Sequence, residues 1–179
     1  ILDRSPLMPV QGNHEFIATV YYGQFALPRD PDLDVELHEH AWALDIGNVH
    51  FTGLDTNIQD HIEQQIPWLE MTLQRAVDDP DIDYLVMMMH HAPYSSSNHG
   101  QLMWIVDSWV PIFEDYRVDL VFSGHDHNYE RTWPWRQEQE VDPSEGVIYV
   151  VAGGFYSPPY GNGTSACFQV SSAPTTTRS

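Results

Sequence analysis

Apolar residues in this chain form several short runs of strand length. Residues 83–89, 118–123 and 146–152 are apolar runs bounded by turn residues, a pattern typical of buried strands. Residues 40–46 and 49–55 flank a Gly-Asn pair, which predicts a β-hairpin. No apolar run approaches the roughly 18 residues that a membrane helix needs. The pattern therefore predicts a sheet built from one hairpin and three buried strands.

Two further segments have the spacing of helices. In residues 62–77 the apolar positions fall on one stripe, and Pro67 suits the first turn of such a helix. In residues 101–116 apolar positions again share one helical face, with a break near Pro111. Strands that alternate with helices predict a layered α/β fold in which helices cover the sheets.

Length and charge narrow the class of protein. The 179 residues suit one domain, which we place at residues 1–170, with a Ser/Thr/Pro-rich tail or linker at residues 171–179. The sequence has 26 acidic residues and 7 basic ones, all arginines, so its net charge is -19 at pH 7. Such a charge repels phosphate backbones and anionic lipids, and we expect neither nucleic acid nor a membrane as a partner. Because Cys167 is the only cysteine, the chain can form neither an internal disulfide nor a zinc–thiolate cluster.

The most informative polar stretch is the Gly-His-Asp-His turn at residues 124–127, directly after a predicted buried strand. His125 and His127 stand two positions apart and can direct their rings at neighbouring points. Neutral imidazole is a common ligand for zinc, iron and other borderline metals. Taken alone, however, such a triplet is more often a pair of exposed loop histidines than a metal site.

Two more polar clusters lie in loops of the same predicted fold. His90 and His91 end the apolar strand at residues 83–89, where a polar pair usually faces a cleft, although one of the two could instead cap the strand. The Gly-Asn-His-Glu loop at residues 12–15 contains Asn13, whose amide oxygen is compatible with a divalent ion. As an isolated turn, this loop would only form a local Asx hydrogen bond. The order and spacing of the three clusters within one α/β chain favour a metal site.

Together, these clusters resemble the motifs of the calcineurin-like metallophosphoesterases. The Asn-His loop, the His-His-Ala-Pro-Tyr segment at residues 90–94 and the Gly-His-Asp-His turn follow one another in the order of that family. Residues 44–57 resemble the hairpin of the purple acid phosphatase branch, and the Asn-Tyr-Glu-Arg segment at residues 128–131 is typical of that branch. The resemblance covers residues 8–170, and it implies a metallophosphoesterase-type β-sandwich flanked by helices, incomplete at its N-terminus.

The resemblance implies a site for two divalent or trivalent metal ions, with iron, zinc or manganese as the expected identities. Asn13, His90 and His125 would hold one ion, and His127 would hold the other. His91 remains an alternative to His90, because either could occupy the position before the Ala-Pro pair. In the family the phosphate ester binds between the two ions, which activate a water and neutralise phosphate oxygens.

Two further histidines are implied to act on the substrate. His14, next to Asn13, would stabilise or protonate the leaving group, and His99, nine residues after His90, would face the substrate. If His14 only braces its turn, His99 becomes the better candidate. The resemblance thus implies a phosphoesterase of the acid phosphatase type, with a phosphate ester as its substrate and an extracellular or periplasmic location.

One departure from the family pattern affects the expected activity. The family carries Asp-x-His or Asp-x-Gly and Gly-Asp motifs upstream of the Asn-His loop, and one of those aspartates bridges the metals. Only eleven residues precede Gly12, and they contain neither motif. We therefore expect a fragment that is inactive alone and is completed by an N-terminal half or by another chain. The alternative is a non-catalytic metal-binding or structural module derived from the same fold.

Overall fold

A seven-stranded mixed sheet forms the centre of the molecule. The structure is a computed structural model, and it describes residues 7–15, 19–57, 59–154, 158, 160–163, 165 and 167–172. The strands in this part of the chain are β1 (Trp42–Ile46), β2 (Val49–Gly53), β3 (Tyr84–Met88), β4 (Leu120–Ser123), β5 (Tyr129–Thr132), β6 (Trp135–Arg136), β7 (Gln139–Glu140), β8 (Ile148–Ala152) and β9 (Phe168–Ser172). The sheet has the strand order β1-β2-β3-β4-β8-β5-β9, and β6 and β7 form a separate two-stranded ribbon.

The sheet topology brings the ends of several strands together at one edge. Strands β2, β3, β4 and β8 run parallel to one another. Strand β1 pairs antiparallel with β2 as a hairpin, while β5 and β9 add antiparallel strands at the other side. Because parallel strands share a direction, the loops that follow β3 and β4 start side by side, where α/β folds commonly carry their sites.

Helices supply much of the buried apolar surface that covers the sheet. They are α1 (Thr19–Gln24), α2 (Gln59–Asp78), α3 (Met103–Ser108) and α4 (Val110–Asp115). Apolar side chains of α2, α3 and α4 join those of the strands in one core, and Leu69, Leu73 and Phe113 are fully enclosed there.

The start of α2 differs from the sequence-based prediction. The helix begins at Gln59, so Pro67 lies in its interior and the expected first-turn position is wrong. A proline in a helix interior removes one backbone hydrogen bond. The burial of Ile62 and Leu69 on either side of Pro67 outweighs that loss, because each fully buried aliphatic side chain contributes about 1.5–3 kcal/mol.

A small apolar cluster anchors the segment that leads into the Asn-His loop. Tyr21, Leu27 and Trp42 are its buried members. The carbonyl oxygen of Pro9 accepts hydrogen bonds from the Trp42 indole at 2.9 Å and from the Tyr21 hydroxyl at 3.3 Å. These contacts hold the chain a few residues before Asn13 against β1.

The predicted α/β class, the hairpin, the three buried strands and the helix break near Pro111 are all confirmed. Helix α1 and strands β5, β6, β7 and β9 were not predicted. Strand β9 extends to Ser172, and the rest of the predicted tail, residues 173–179, lies outside the described residues. Among the described residues, no helix has the length and apolar character that a bilayer crossing requires.

Candidate active site

Three loops meet at the ends of β3 and β4 and enclose a cavity of about 460 Å³. They are the Asn-His loop, the loop that begins with His90 and the turn at residues 124–127. The cavity is lined by polar side chains and one glycine from these loops and by residues at and after the end of β8: Asn13, His14, Glu15, His90, His99, Gly124, His125, His127, Ala152, Gly153 and Tyr160. All six residues predicted for the site, five histidines and one asparagine, line the cavity from these three loops, so the fold, not the local sequence, brings them together.

His90 lies within hydrogen-bond distance of both Asn13 and His125. His90 Nε2 lies 2.8 Å from Asn13 Oδ1 and 3.1 Å from His125 Nδ1. The Asn13 oxygen can only accept a hydrogen bond, and two neutral ring nitrogens that face each other can share at most one proton. The Asn13 oxygen and at least one of the two ring nitrogens therefore present lone pairs within this cluster.

The environment keeps these imidazoles neutral. Burial, together with repulsion from the neighbouring imidazoles, lowers the pKa of His90 to about 3 and the pKa of His125 to about 4. The pKa of His91 is also lowered, mainly by burial. Neutral imidazole is the form that binds metals. One amide oxygen and two neutral imidazoles thus form a donor set that fits a borderline divalent cation.

The backbone of the Gly-His-Asp-His turn is held tightly. His125 has a φ of 63°, a left-handed conformation that is uncommon outside glycine and is found disproportionately at functional sites. The Gly124 N–H donates to the His90 carbonyl at 2.9 Å, which joins the two ligand-bearing loops. A Cβ atom at Gly153 would lie 2.2 Å from the Asp126 carbonyl oxygen, so only glycine fits where β8 ends against this turn.

His91 has a different set of contacts from its neighbour. Its Nδ1 lies 2.9 Å from the Thr56 hydroxyl, and its backbone N–H donates to the same hydroxyl at 3.0 Å. The centroids of the His91 and His125 rings are 4.3 Å apart. The ligand atoms of His90, His91 and His125 all lie within 4.8 Å of one another, so the three histidines form one group. Of the two neighbours, His90 is the one whose ring nitrogen faces both Asn13 and His125.

His127 lies on the other side of the turn with a fixed orientation. Its Nδ1 lies 3.0 Å from the carbonyl oxygen of Pro158, which can only accept, so Nδ1 carries the proton and Nε2 carries the lone pair. The ring stacks on Tyr160 with centroids 4.2 Å apart and an angle of 18° between the planes. A carbonyl bonded to one ring nitrogen is the usual way in which proteins orient a metal-binding histidine.

His99 is positioned by a buried carboxylate. Its Nδ1 lies 2.8 Å from Asp126 Oδ1, and the Ser95 hydroxyl donates to Asp126 Oδ2 at 2.5 Å. The His99 ring is 3.9 Å from the His125 ring and also lines the cavity. His14 lines the cavity as well, on the Asn-His loop, and is exposed.

Comparisons with known proteins identify the family of the chain. Residues 2–129 match the family model described as calcineurin-like phosphoesterase. The chain belongs to the calcineurin-like phosphoesterase family. It is 30% identical to an uncharacterized protein of Mycobacterium tuberculosis, over 83% of this chain and 35% of that protein. It is also 30% identical to mouse acid phosphatase type 7, over 83% of this chain and 39% of that protein.

Within the family, the similarity lies with the purple acid phosphatases. Purple acid phosphatase 15 of Arabidopsis thaliana is 29% identical over 86% of this chain and 30% of that protein. A solved purple acid phosphatase from yellow lupin seeds has the same metallophosphoesterase fold, with a TM-score of 0.69 and 22% identity over 82% of this chain and 28% of that one. The chain spans about a third of the length of the curated relatives it matches.

Two members of the site were not predicted from the sequence. Asp126 stands between the two predicted ligands and orients His99, and Tyr160 stacks on His127. The central Asp of the Gly-His-Asp-His turn was visible as a polar residue in a predicted cleft, which is a signal that could have identified it. No signal of that kind marks Tyr160, which lies in a Pro/Gly-rich segment 33 positions after His127.

Proposed function

We propose that this chain is part of a metal-dependent phosphoesterase that hydrolyses phosphate esters with two metal ions. Asn13, His90 and His125 hold one ion in this proposal, and His127 holds the other. The observation that carries it is the convergence of three donor atoms from two loops and a turn, at 2.8 and 3.1 Å from His90 Nε2. The identified family supports the same chemistry, and iron, zinc or manganese suits the imidazole-rich donor set.

When bound, the ions supply an activated water and neutralise the oxygens of the phosphate. The residues of the chain then orient the phosphate ester and donate protons or hydrogen bonds to it. His14 would donate a hydrogen bond or a proton to the departing oxygen of the ester from its exposed position in the cavity. His99 would bind a phosphate oxygen, with Asp126 holding its Nδ1–H so that the ring keeps one orientation.

The electrostatics of the cavity also support an anionic substrate. The chain carries a net charge of -19, which would repel a phosphate ester over most of the surface. The described residues that line the cavity include five histidines but a single carboxylate, Glu15. Bound cations would therefore make this the place where a phosphate is attracted. We also propose an extracellular or periplasmic location, which is open to a test by cell fractionation.

The direct test is hydrolysis of 4-nitrophenyl phosphate by the 179-residue chain and by a longer protein that contains it. Each is stripped with EDTA and then supplied with zinc, manganese or iron. We expect metal-dependent hydrolysis by the longer protein that is lost in the His125→Ala variant. Unchanged hydrolysis after metal removal, or in His125→Ala, would contradict the proposal.

A non-catalytic metal-binding module is the second candidate function. The group His90, His91 and His125 contains no carboxylate among its members, and a neutral donor set compensates little of the charge of an ion. In that case zinc should bind to the chain and His125→Ala should weaken that binding, but no protein containing the chain should hydrolyse aryl or alkyl phosphates.

A further inference from the structure

We propose that His40, Asp55 and His61 form a second metal site, separate from the candidate active site, that binds one zinc-like divalent cation. The three side chains come from different elements. His40 precedes β1, Asp55 follows β2, and His61 lies in the first turn of α2. None of them belongs to the three loop motifs of the candidate active site, although Asp55 lies in the hairpin segment at residues 44–57 that resembles the family.

The geometry fits a small cation with little movement. Asp55 Oδ2 lies 2.7 Å from His40 Nδ1 and 3.5 Å from His61 Nδ1. The three candidate ligand atoms all lie within 4.8 Å of one another. Ligands bonded at about 2.0–2.2 Å to a tetrahedral zinc stand about 3.3 Å apart. The distance between Asp55 Oδ2 and His61 Nδ1 already matches this value. The distance between Asp55 Oδ2 and His40 Nδ1 needs to increase by several tenths of an ångström.

The charge of this cluster also favours a cation. The Asp55 side chain is 0% exposed, and the ion-pair partners that the described residues give it are His40 and His61. Burial would raise the pKa of Asp55, but hydrogen bonds from His40 and Asn57 outweigh this effect and lower it. A buried carboxylate whose ion-pair partners among the described residues are histidines lacks a permanent counter-charge. A divalent cation would supply that charge.

Buried hydrogen bonds hold the ligands in place. The side-chain amide of Gln65, which is 0% exposed, donates to the carbonyl oxygens of Asp55 at 2.9 Å and His61 at 2.7 Å. Its oxygen accepts from the Asp55 N–H at 3.0 Å. On the opposite side, His40 Nε2 lies 3.2 Å from the Tyr22 hydroxyl, which leaves His40 Nδ1 as the nitrogen for a metal. Oriented second ring nitrogens and fixed backbones are typical of built metal sites.

Two hydrogen-bond paths connect this cluster to the Asn-His loop. Asn57, which donates to Asp55 Oδ1, also donates to the carbonyl oxygen of Gln11 at 2.9 Å. The Gln11 side chain donates to the Tyr22 hydroxyl at 2.8 Å, next to His40. Because Gln11 lies two positions before Asn13, a cation here would brace the loop that carries Asn13.

The test measures zinc binding by the full chain after EDTA treatment, with equilibrium dialysis and metal analysis. Since the active-site histidines also bind zinc under the proposed function, the background is the His90→Ala/His125→Ala double variant. We expect this variant to bind one equivalent of zinc. Adding His61→Gln should raise the Kd for zinc at least about 100-fold, because it removes a direct ligand.

His38→Gln is the matched control in the same background. It makes the same change of residue type, but its Nε2 lies 3.2 Å from the carbonyl oxygens of Asp30 and Leu33 instead of beside the Asp55 carboxylate. Zinc binding should be unchanged in this control. A double variant that is folded by circular dichroism and binds no zinc, or whose binding is the same with His61→Gln, overturns the proposal.

The test remains decisive if the double variant does not fold. In the otherwise native chain, His61→Gln should then lower the zinc stoichiometry by one equivalent relative to His38→Gln. An equal stoichiometry in the two variants overturns the proposal.

Discussion

The two histidine clusters of this protein differ in whether they contain a charged side chain. At the candidate active site, neutral imidazoles and one amide oxygen face a cavity, and no carboxylate belongs to the group of His90, His91 and His125. In the second cluster, a fully buried carboxylate stands at the centre, with His40 and His61 around it. The first group consists of uncharged side chains, whereas the second contains a carboxylate that accepts charge-assisted hydrogen bonds.

This difference indicates how each cluster should respond when metal is removed. When the ion leaves a set of neutral donors, no charge is left uncompensated, and the imidazole rings can rearrange toward solvent in the cavity. A buried carboxylate loses its counter-charge and must rely on its hydrogen bonds. Metal content and catalysis should therefore report on the first cluster, and the free energy of unfolding on the second.

The largest expected effect comes from His125→Ala, which removes a ligand from the first cluster. Metal affinity at the active site and hydrolysis of aryl phosphates should both fall at least about 100-fold. Metal analysis and steady-state kinetics on the longer protein check this, with His38→Gln as the control. Native metal content and rate in His125→Ala would show that the convergence around His90 has no role in binding.

A second variant separates proton transfer from metal binding within the first cluster. His14→Ala should lower kcat on alkyl phosphates by about 10²–10⁴-fold, because an alkoxide leaving group needs a proton or hydrogen bond. Aryl phosphates with acidic leaving groups should be affected less, and metal content should stay the same. If His14→Ala keeps the native kcat on an alkyl phosphate, its catalytic role is wrong, and His99→Ala becomes the variant to measure.

The second cluster should respond through stability. In EDTA, Asp55→Asn should lower the free energy of unfolding by about 1.5–3 kcal/mol, because it removes the charged acceptor of the His40 and Asn57 hydrogen bonds. Urea unfolding followed by circular dichroism measures this. Asp60→Asn, an exposed change on α2, is the matched control and should stay within about 0.5 kcal/mol of the native chain. Equal stability of the two variants would remove the contrast between the clusters.

The smallest expected effect concerns the stacked pair at the edge of the cavity. Tyr160→Leu should weaken metal binding at His127 by no more than about tenfold, since ring stacking contributes about 0.5–1.5 kcal/mol. Tyr160→Phe keeps the ring and should restore the native Kd in the same metal titration. A loss as large as that of His125→Ala would mean that Tyr160 does more than orient His127.

The elements that the sequence predicts are those whose signal is local. Strands β3, β4 and β8 are continuous apolar runs, and the hairpin has its turn residues in place. By contrast, β5 places Glu130 at a fully buried position, where it accepts hydrogen bonds from the Ser96 N–H and hydroxyl. A charged residue at a core position hides the strand pattern, because its partner lies 34 positions away.

The residues of the two clusters also differ in whether a local sequence motif marks them. His90, His125 and His127 stand in short motifs at the ends of predicted strands, and Asn13 stands in a short loop motif, so their convergence could be expected. The second cluster has no local motif, because His40, Asp55 and His61 are separated by 15 and 6 positions. The pairing of β1 with β2 places His40 near Asp55, and the hydrogen bonds between Gln65 and Asp55 hold α2, with His61, beside them.

The spacing of the active-site loops also has a consequence for folding. Asn13 and His90 are 77 positions apart in the chain, and His90 and His125 are 35 apart. Closing such loops costs entropy before any contact is gained, and parallel strand pairing is slow for the same reason. The three donor atoms can therefore meet only after β3 and β4 have paired. A cation bound at this point would therefore stabilise the native state late in folding and would be expected to slow unfolding more than it speeds folding.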